Sequence, residues 1–364
     1  MSNLSTVDDN GLHDHRKALY FKGLPLAGCM GGAILGIEST AHTLSFGMVD
    51  LNGNTSDSHS NLFRPEEGGI HPREAADHHC ENAPHLLSKV INSEMFINNT
   101  IEAVAFSQGP GLGPCLRVGA SIARALSKSW DVPLIGVNHC IAHIEIGRNQ
   151  TGCVDPVLLY VSGGNTQVIA KSRNKYRVMG ETLDIGIGNM LDKFGRAHGM
   201  PFPGGPKIEK LSFKHTKVPN YQDQLCDLPY GVQGMDMGFS GMLTAAQRRV
   251  EYGDSLESVC WSLQEHAFAS CIEVAERAMA HTGKFELLLG GGVACNSRLR
   301  EMAKIMCEER GAKAFWPDKK FCVDNGTMIA ELGRLLYNAG FSTDLDESGI
   351  NSMLRTDHTE IIWD

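Results

Sequence analysis

Short apolar runs, bounded by small polar residues, alternate along this chain with longer stretches of helical periodicity. The short runs read as buried strands and the longer stretches as helices packed on them. The first run, 33–37, passes through the turn Glu38-Ser39-Thr40-Ala41-His42-Thr43 into a second apolar run ending at Asp50, so 33–50 reads as a β-hairpin. The theme returns at 157–170, with a strand over 157–161, the turn Ser162-Gly163-Gly164-Asn165-Thr166 and a strand over 167–170. A third run, 285–289, leads through Gly290-Gly291-Gly292 into a helix from about Asn296. Between the hairpins, 101–106 reads as a strand that enters Ser107-Gln108-Gly109-Pro110-Gly111 and then a helix over about 116–130. The next strand, 132–137, feeds a helix that carries His139 and His143. Segment 203–235 reads as loop-rich, and the last long helices are expected over 257–281 and 325–338. Strands alternating with helices in this way make the fold α/β.

Composition narrows the picture. A length of 364 residues suggests two domains at about 100–200 residues each. The 40 glycines cluster beside apolar runs, which points to tight strand-to-helix turns and close backbone approach to ligands. A net charge of -9 argues against a protein that grips nucleic acid over its whole surface, while leaving room for a local basic patch. The 11 cysteines include no CxxC pair, and Cys140, Cys271 and Cys295 lie in apolar segments, so buried free thiols in a reducing cytoplasm are expected. No apolar run reaches the eighteen or so residues of a membrane span. Residues 1–32 read as an N-terminal extension, either disordered or upstream of the start used in the cell. Leu26-Ala27-Gly28-Cys29 has the form of a lipoprotein cleavage box, but the stretch before it is short and broken by Lys22.

His139 and His143 stand four apart at the start of a helix, which places both imidazoles on one face where they can share a metal. With 15 histidines in the chain, the spacing alone favours the plainer reading of one buried and one solvated histidine. Protease zinc helices carry a Glu directly after the first His; here that residue is Cys140, so the protease reading fails. Tyr160, at the end of a strand, and Asp324, at the entry to a helix, are two further candidate ligands; the plainer role of Asp324 is an N-cap. The two hairpin turns and the triple-Gly turn suit phosphate, because small residues let backbone N–H groups point at an anion. Asp192 is placed to accept from a ribose hydroxyl, against the plainer role of an ion pair with Lys193 or Arg196. Glu209, in the helix that follows Gly204-Gly205-Pro206, has the plainer role of a first-turn carboxylate.

These residues, in this order, resemble the tRNA threonylcarbamoyladenosine transferase family, known under the older name O-sialoglycoprotein endopeptidase. The matching motifs are GIESTAHTLSFG (36–47), GGIHPREAADHH (68–79), SQGPGLGPCLRVG (107–119), NHCIAHIEIGR (138–148) and YVSGGNTQVI (160–169). They continue as DIGIGNMLDKFGR (184–196), GMDMGFSGMLTAA (234–246), GGGVACNSRLR (290–300) and DNGTMIA (324–330). HPREAA and Asn165 are similar to the archaeal and eukaryotic branch, the catalytic subunit of the KEOPS complex. Gly238 departs from the more usual Ser, and the N-terminal extension has no counterpart in the family.

The resemblance implies an actin-like (ASKHA) fold of two similar domains with a nucleotide and metal cleft between them. The domains expected are 33–155 and 156–364, the second with an inserted segment at about 184–245. It implies metal ligands His139, His143, Tyr160 and Asp324, with Fe(2+) as the first choice and Zn(2+) as the second. Nucleotide and acyl contacts would be Tyr160, Val161, Ser162, Gly163, Gly164, Asp192, Gly205, Glu209 and Asn296. The implied reaction carries threonylcarbamoyl from threonylcarbamoyl-AMP to N6 of the adenosine 3′ of the anticodon, in tRNAs reading ANN codons, and releases AMP. Partners would be tRNA and the KEOPS subunits, a small atypical kinase and a small dimerising subunit. Lys193, Arg196, Lys207, Lys210, Lys214 and Lys217 would line one edge for tRNA. The rival readings are an actin-like small-molecule kinase and a non-catalytic scaffold.

Overall fold

The computed structural model describes residues 31–65 and 69–363. The extension reading and the 26–29 box therefore fall, but for residues 31 and 32, outside the described residues. In chain order the first elements are β1 (Gly31–Glu38), β2 (Thr43–Asp50), β3 (His59–Leu62), α1 (Pro72–Ile91), α2 (Glu94–Asn98) and β4 (Asn99–Gly109). There follow α3 (Gly113–Trp130), β5 (Leu134–Asn138), α4 (His139–Thr151), β6 (Val157–Val161), β7 (Thr166–Ser172) and β8 (Lys175–Glu181). Next come α5 (Ile187–Ala197), α6 (Gly205–His215), β9 (Val232–Gln233), β10 (Asp236–Met237), α7 (Ser240–Glu251) and α8 (Leu256–Thr282). The last are β11 (Glu286–Gly290), α9 (Ser297–Glu309), β12 (Lys313–Phe315), α10 (Lys319–Cys322) and α11 (Gly326–Asn338).

Contacts divide the chain into two units, and the division falls inside α4, between Ala142 and His143. The first unit holds the described residues before that point together with Asp324–Arg355 and the described residues from Ile362 on. Its sheet runs β3-β2-β1-β4-β5, with β1 antiparallel to β2 and parallel to β4, and β4 parallel to β5. The second unit holds His143–Val323 and Thr356–Ile361. Its sheet runs β8-β7-β6-β11-β12, with β6 antiparallel to β7 and parallel to β11, and β11 parallel to β12. Each unit thus repeats one plan, three antiparallel strands followed by two parallel ones. β1, β6 and β11 are buried along nearly all their residues, which is why they read as unbroken apolar runs. Leu35, Ile37, Phe46, Val104 and Phe106 centre the first core, and Leu159, Val168, Phe239, Phe268 and Leu289 the second.

Helix α11 lies directly on the first sheet because glycines clear its path. A Cβ on Gly36 would come within 2.2 Å of the Gly326 carbonyl, and one on Gly47 within 2.3 Å of the Thr327 nitrogen. Asn325 caps the helix by accepting from Met328 N at 2.9 Å, and Gly326 N donates to Ser45 Oγ at 2.9 Å. The cap role open to Asp324 therefore belongs to Asn325, which leaves the aspartate carboxylate outside the helix start. Two other expectations shift. Helix α3 begins at Gly113 rather than near Leu116, and the segment expected to be loop-rich contains the eleven-residue α6. Pro206 sits at the start of α6, where a missing N–H does no harm. All ten cysteines among the described residues are free, and no helix there is long and apolar enough to cross a membrane.

His79, on α1, ties that helix to the first hairpin: its ring Nε2 lies 3.0 Å from the Ala41 carbonyl and donates to it. Burial pushes its pKa down to about 4, against a raising contribution from the Ala41 carbonyl. The unfolded chain, with an ordinary histidine near 6.5, binds the proton first as pH falls. This contribution to stability is therefore complete above pH 6.5 and is lost between 6.5 and about 4. Thermal unfolding across that range is expected to show a steeper loss in the native protein than in His79→Gln. Parallel curves would refute the assignment.

Candidate metal and nucleotide site

Three side chains of the first unit converge at the ends of its central elements. Glu38 ends β1, and its side chain is fully buried. His139 opens α4, directly after β5, and Asn138 caps that helix by accepting from Cys140 N at 3.0 Å and Ile141 N at 3.4 Å. Asp324 stands just before the capped start of α11. Glu38 Oε2 lies 3.0 Å from His139 Nδ1, while Asp324 Oδ1 lies 3.5 Å from His139 Nε2. The other Glu38 oxygen accepts from Thr40 N at 2.6 Å and from the Thr40 hydroxyl. The imidazole is thereby held with Nδ1–H donating to Glu38 and Nε2 directed at Asp324. This is the arrangement in which a carboxylate behind a histidine sets its tautomer for metal binding.

Burial lowers the affinity of His139 for a proton, but Glu38 and Asp324 more than offset it and raise the pKa to about 9. The two carboxylates favour a positive charge at this point, which a metal ion in place of the Nε2 proton would supply. The spacing fits as well. Two ligand atoms at about 2.1 Å from a tetrahedral ion are about 3.4 Å apart, against 3.5 Å for His139 Nε2 and Asp324 Oδ1. His143 follows His139 on α4 by four residues, a spacing that sets both imidazoles on one face of that helix. The donor set therefore fits a divalent cation.

In the second unit, His143 and Tyr160 are both almost fully buried, and their ring centroids are 4.8 Å apart. Tyr160 pairs with Gly290 in the parallel register of β6 and β11, and a Cβ at Gly290 would lie 3.9 Å from both the Tyr160 ring and the His143 Cβ. Val161, buried, ends β6, and the turn over 162–165 follows. Ser162 N donates to the Asn165 carbonyl at 2.8 Å, closing that turn. Gly186, Gly188 and Gly291 press against its backbone, each too close for a Cβ. Among the described residues, a Cβ at Gly164 would meet no atom within 4 Å, and one at Gly163 only Asn189 Oδ1 at 3.7 Å. Among the described residues this side of the turn is open, a geometry in which backbone N–H groups can meet an anion. The first hairpin's turn differs, because Thr40 N and its hydroxyl are committed to Glu38 and the Thr40 carbonyl to Leu112 N.

The remaining expected contacts also lie in the second unit. Asp192, on α5, accepts from Gly204 N at 2.7 Å, one residue before Gly205 starts α6. Glu209, on α6, accepts through Oε1 from Ser297 N at 2.8 Å and Ser297 Oγ at 2.6 Å; among the described residues its Oε2 makes no hydrogen bond. Asn296 caps α9, accepting from Arg298 N and Leu299 N, and donates to Gln264 Oε1 at 2.8 Å. Glu209 and Asn296 thus meet at the start of α9, and Asp192 holds the start of α6. Sequence reasoning missed the partner role of Glu38. The sequence marks Glu38 only as a charged residue closing an apolar run, and nothing local names its partner.

Comparison with known proteins follows the same lines. Residues 53–331 match the sequence profile of the family described as TsaD: tRNA N6-adenosine threonylcarbamoyltransferase. A tRNA N6-adenosine threonylcarbamoyltransferase of Archaeoglobus fulgidus is 54% identical over 330 residues, covering 91% of this chain and 99% of that one. Its namesake from Methanococcoides burtonii is 51% identical over 333 residues, covering 91% and 97%. A probable bifunctional tRNA threonylcarbamoyladenosine biosynthesis protein of Methanocaldococcus jannaschii is 52% identical over 329 residues, and there the match spans 90% of this chain but 60% of the longer relative. Among solved structures, that of T. kodakarensis HypF is similar over 87% of this chain and 49% of that one, with a TM-score of 0.59 at 15% identity. That likeness, with the twice-repeated sheet plan, gives the fold as the α/β, actin-like class. With relatives above half identity along nearly their whole length, this chain belongs to the tRNA N6-adenosine threonylcarbamoyltransferase family.

Proposed function

We propose that the chain transfers threonylcarbamoyl from threonylcarbamoyl-AMP to N6 of the adenosine 3′ of the anticodon in tRNA and releases AMP. The donor is a mixed anhydride, so its acyl carbonyl and its phosphate share one bridging oxygen. One observation carries the reading. Tyr160, packed on His143, is separated by only one residue from a turn whose open side offers backbone to an anion. A single segment thereby reaches both ends of the anhydride. Ser162, Gly163 and Gly164 cradle the phosphate, while Asp192, Gly205, Glu209 and Asn296 hold the nucleoside side. Glu209 Oε2 is the acceptor offered to a ribose hydroxyl.

His139, His143, Tyr160 and Asp324 hold one divalent cation, with Fe(2+) the first choice for a site containing a phenolate and Zn(2+) the second. When bound, the metal supplies Lewis acidity towards the acyl carbonyl. Glu38 keeps the His139 imidazole in its ligating orientation. Tyr160 and the following turn fix the acyl–phosphate bond relative to the incoming amine, and such placement is a large source of rate. His139→Ala and Asp324→Ala are each expected to lower tRNA modification by about 100-fold or more. Both are also expected to drop bound metal below one per chain, read by elemental analysis of anaerobically purified protein. Full activity in either variant, assayed with threonylcarbamoyl-AMP and partner subunits, would refute the mechanism. Phosphorylation of a small substrate by the chain alone would instead favour the kinase reading.

The acceptor is polyanionic, and the chain carries a net charge of -9. The KEOPS subunits, a small atypical kinase and a small dimerising subunit, supply further positive surface in this reading. Within the chain, Lys193 and Arg196 on α5, Lys207, Lys210 and Lys214 on α6, and Lys217 just after it are all exposed. Lys217 Nζ lies 4.3 Å above the ring of Phe213, itself 63% exposed. Cations beside an exposed aromatic suit a nucleic acid, which offers phosphates and stacking faces together. The double variant Lys210→Glu/Lys214→Glu is expected to raise the KM for tRNA several-fold at low salt, with a shallower salt dependence and an unchanged KM for threonylcarbamoyl-AMP. An unaltered salt dependence would remove this surface from the account.

A further inference from the structure

Helix α1 carries two adjacent histidines, His78 and His79, that the proposed reaction does not use. Their surroundings fix which ring nitrogens hold protons. The chain of hydrogen bonds starts at a backbone carbonyl, which can only accept. Asn82 Nδ2 donates to the His78 carbonyl at 2.8 Å, so Asn82 meets Asn61 with its oxygen. Asn61 Nδ2 donates to that oxygen at 2.5 Å, and Asn61 Oδ1 is the atom that faces His78. It lies 3.2 Å from His78 Nε2, which must therefore be the protonated nitrogen of that ring. His79 Nε2 donates to the Ala41 carbonyl at 3.0 Å. In a neutral imidazole with its proton on Nε2, Nδ1 is an acceptor. Yet His78 Nδ1 and His79 Nδ1 lie 3.3 Å apart. Two lone pairs thus face each other at hydrogen-bonding distance, with the proton of each ring committed elsewhere.

We propose that His78 Nδ1 and His79 Nδ1 together bind one divalent cation of the kind imidazole prefers, such as Zn²⁺, at a site that shares no ligand with the His139 centre. The spacing fits, because two nitrogens at about 2.0–2.1 Å from a tetrahedral ion are about 3.3–3.4 Å apart. The partners of the far nitrogens fit as well. A ligating histidine usually donates its other ring N–H to a carbonyl or similar oxygen, which holds the ring in its ligating tautomer. The Ala41 carbonyl and Asn61 Oδ1 fill that role here. The rival occupant is a proton shared by the two rings. Burial lowers the proton affinity of both, that of His79 to about 4, so at neutral pH both lone pairs are available to a metal. His79 is fully buried but His78 only half-buried, which allows water into the remaining positions of the ion. With two protein ligands, against the four proposed for the His139 centre, this site holds its ion less tightly. It is expected to lose the ion during purification and to refill from added metal.

The test is calorimetric titration of the metal-free full chain with Zn²⁺ at neutral pH. Uptake is expected to fall by one weakly held ion per chain in His78→Gln, with thermal unfolding confirming that the variant is folded. His85→Gln, at an exposed position on the same helix, is expected to leave uptake unchanged. His139→Ala is expected to remove a different, more tightly held ion. A second measurement needs no variant. Zn²⁺ is expected to protect His78 of the native chain from carbethoxylation by diethylpyrocarbonate, mapped by mass spectrometry. The proposal is overturned if folded His78→Gln takes up as much Zn²⁺ as the native chain, or if labelling of His78 is indifferent to Zn²⁺.

Discussion

The pairing of Glu38 with His139 is the constraint around which the candidate site is arranged. Glu38 is fully buried at the end of a strand, and its carboxylate is satisfied by the Thr40 N–H, the Thr40 hydroxyl and the His139 ring. Removing one partner of a buried charged pair typically costs about 3–5 kcal/mol, because the other is left uncompensated. That magnitude exceeds the worth of any surface ion pair here, so the strand end, the turn after it and the start of α4 are bound as one piece. The consequence is a ring that cannot rotate freely. Its Nδ1 is committed, and its Nε2 faces the segment where α11 begins.

Position of that segment depends on a second constraint, which is steric. Gly36, Gly47 and Gly326 allow α11 to rest on the strands with almost no gap, and a Cβ at any of the three would strike backbone. The helix can therefore take one depth, and Asp324 is delivered to His139 by the packing of the first core. The second unit uses glycine differently. Gly186, Gly188 and Gly291 crowd one side of the 162–165 turn, while Gly163 and Gly164 leave its other side open. The first group sets the shape of the turn and the second leaves room for an anion. A reaction that holds an acyl group beside a phosphate needs both.

Much of this was legible in the sequence, and the boundary of what was legible is physical. Both hairpins, the β11 strand with its glycine turn and the long helices are written in local periodicity, and the helix predicted over 257–281 appears as Leu256–Thr282, capped by Ser255 and Gly283. His139 and His143 are legible as a pair because four residues in a helix fix their separation. The partnership of Glu38 with His139 joins residues 101 apart and has no local signature. Asp324 and Asn325 are equally good caps by composition, and only the tertiary seat of α11 decides that Asn325 takes the role. The turn residues Gly204, Gly205 and Pro206 make 203–235 read as loop-rich overall, although proline at a helix start favours the helix that follows, and α6 runs for eleven residues. Glu209, apparently a first-turn carboxylate of its own helix, acts on the start of α9 instead.

The central claim is that Glu38 prepares His139 to hold a cation. It is tested most directly by titrating the metal-free protein with Zn²⁺ against a chromophoric chelator and comparing Glu38→Gln with the native chain, with thermal unfolding confirming that both are folded. Glutamine preserves the shape and the hydrogen bond but removes the charge behind the ring. The account predicts affinity weaker by about 10–100-fold in the variant. Native affinity in a folded Glu38→Gln protein would contradict it.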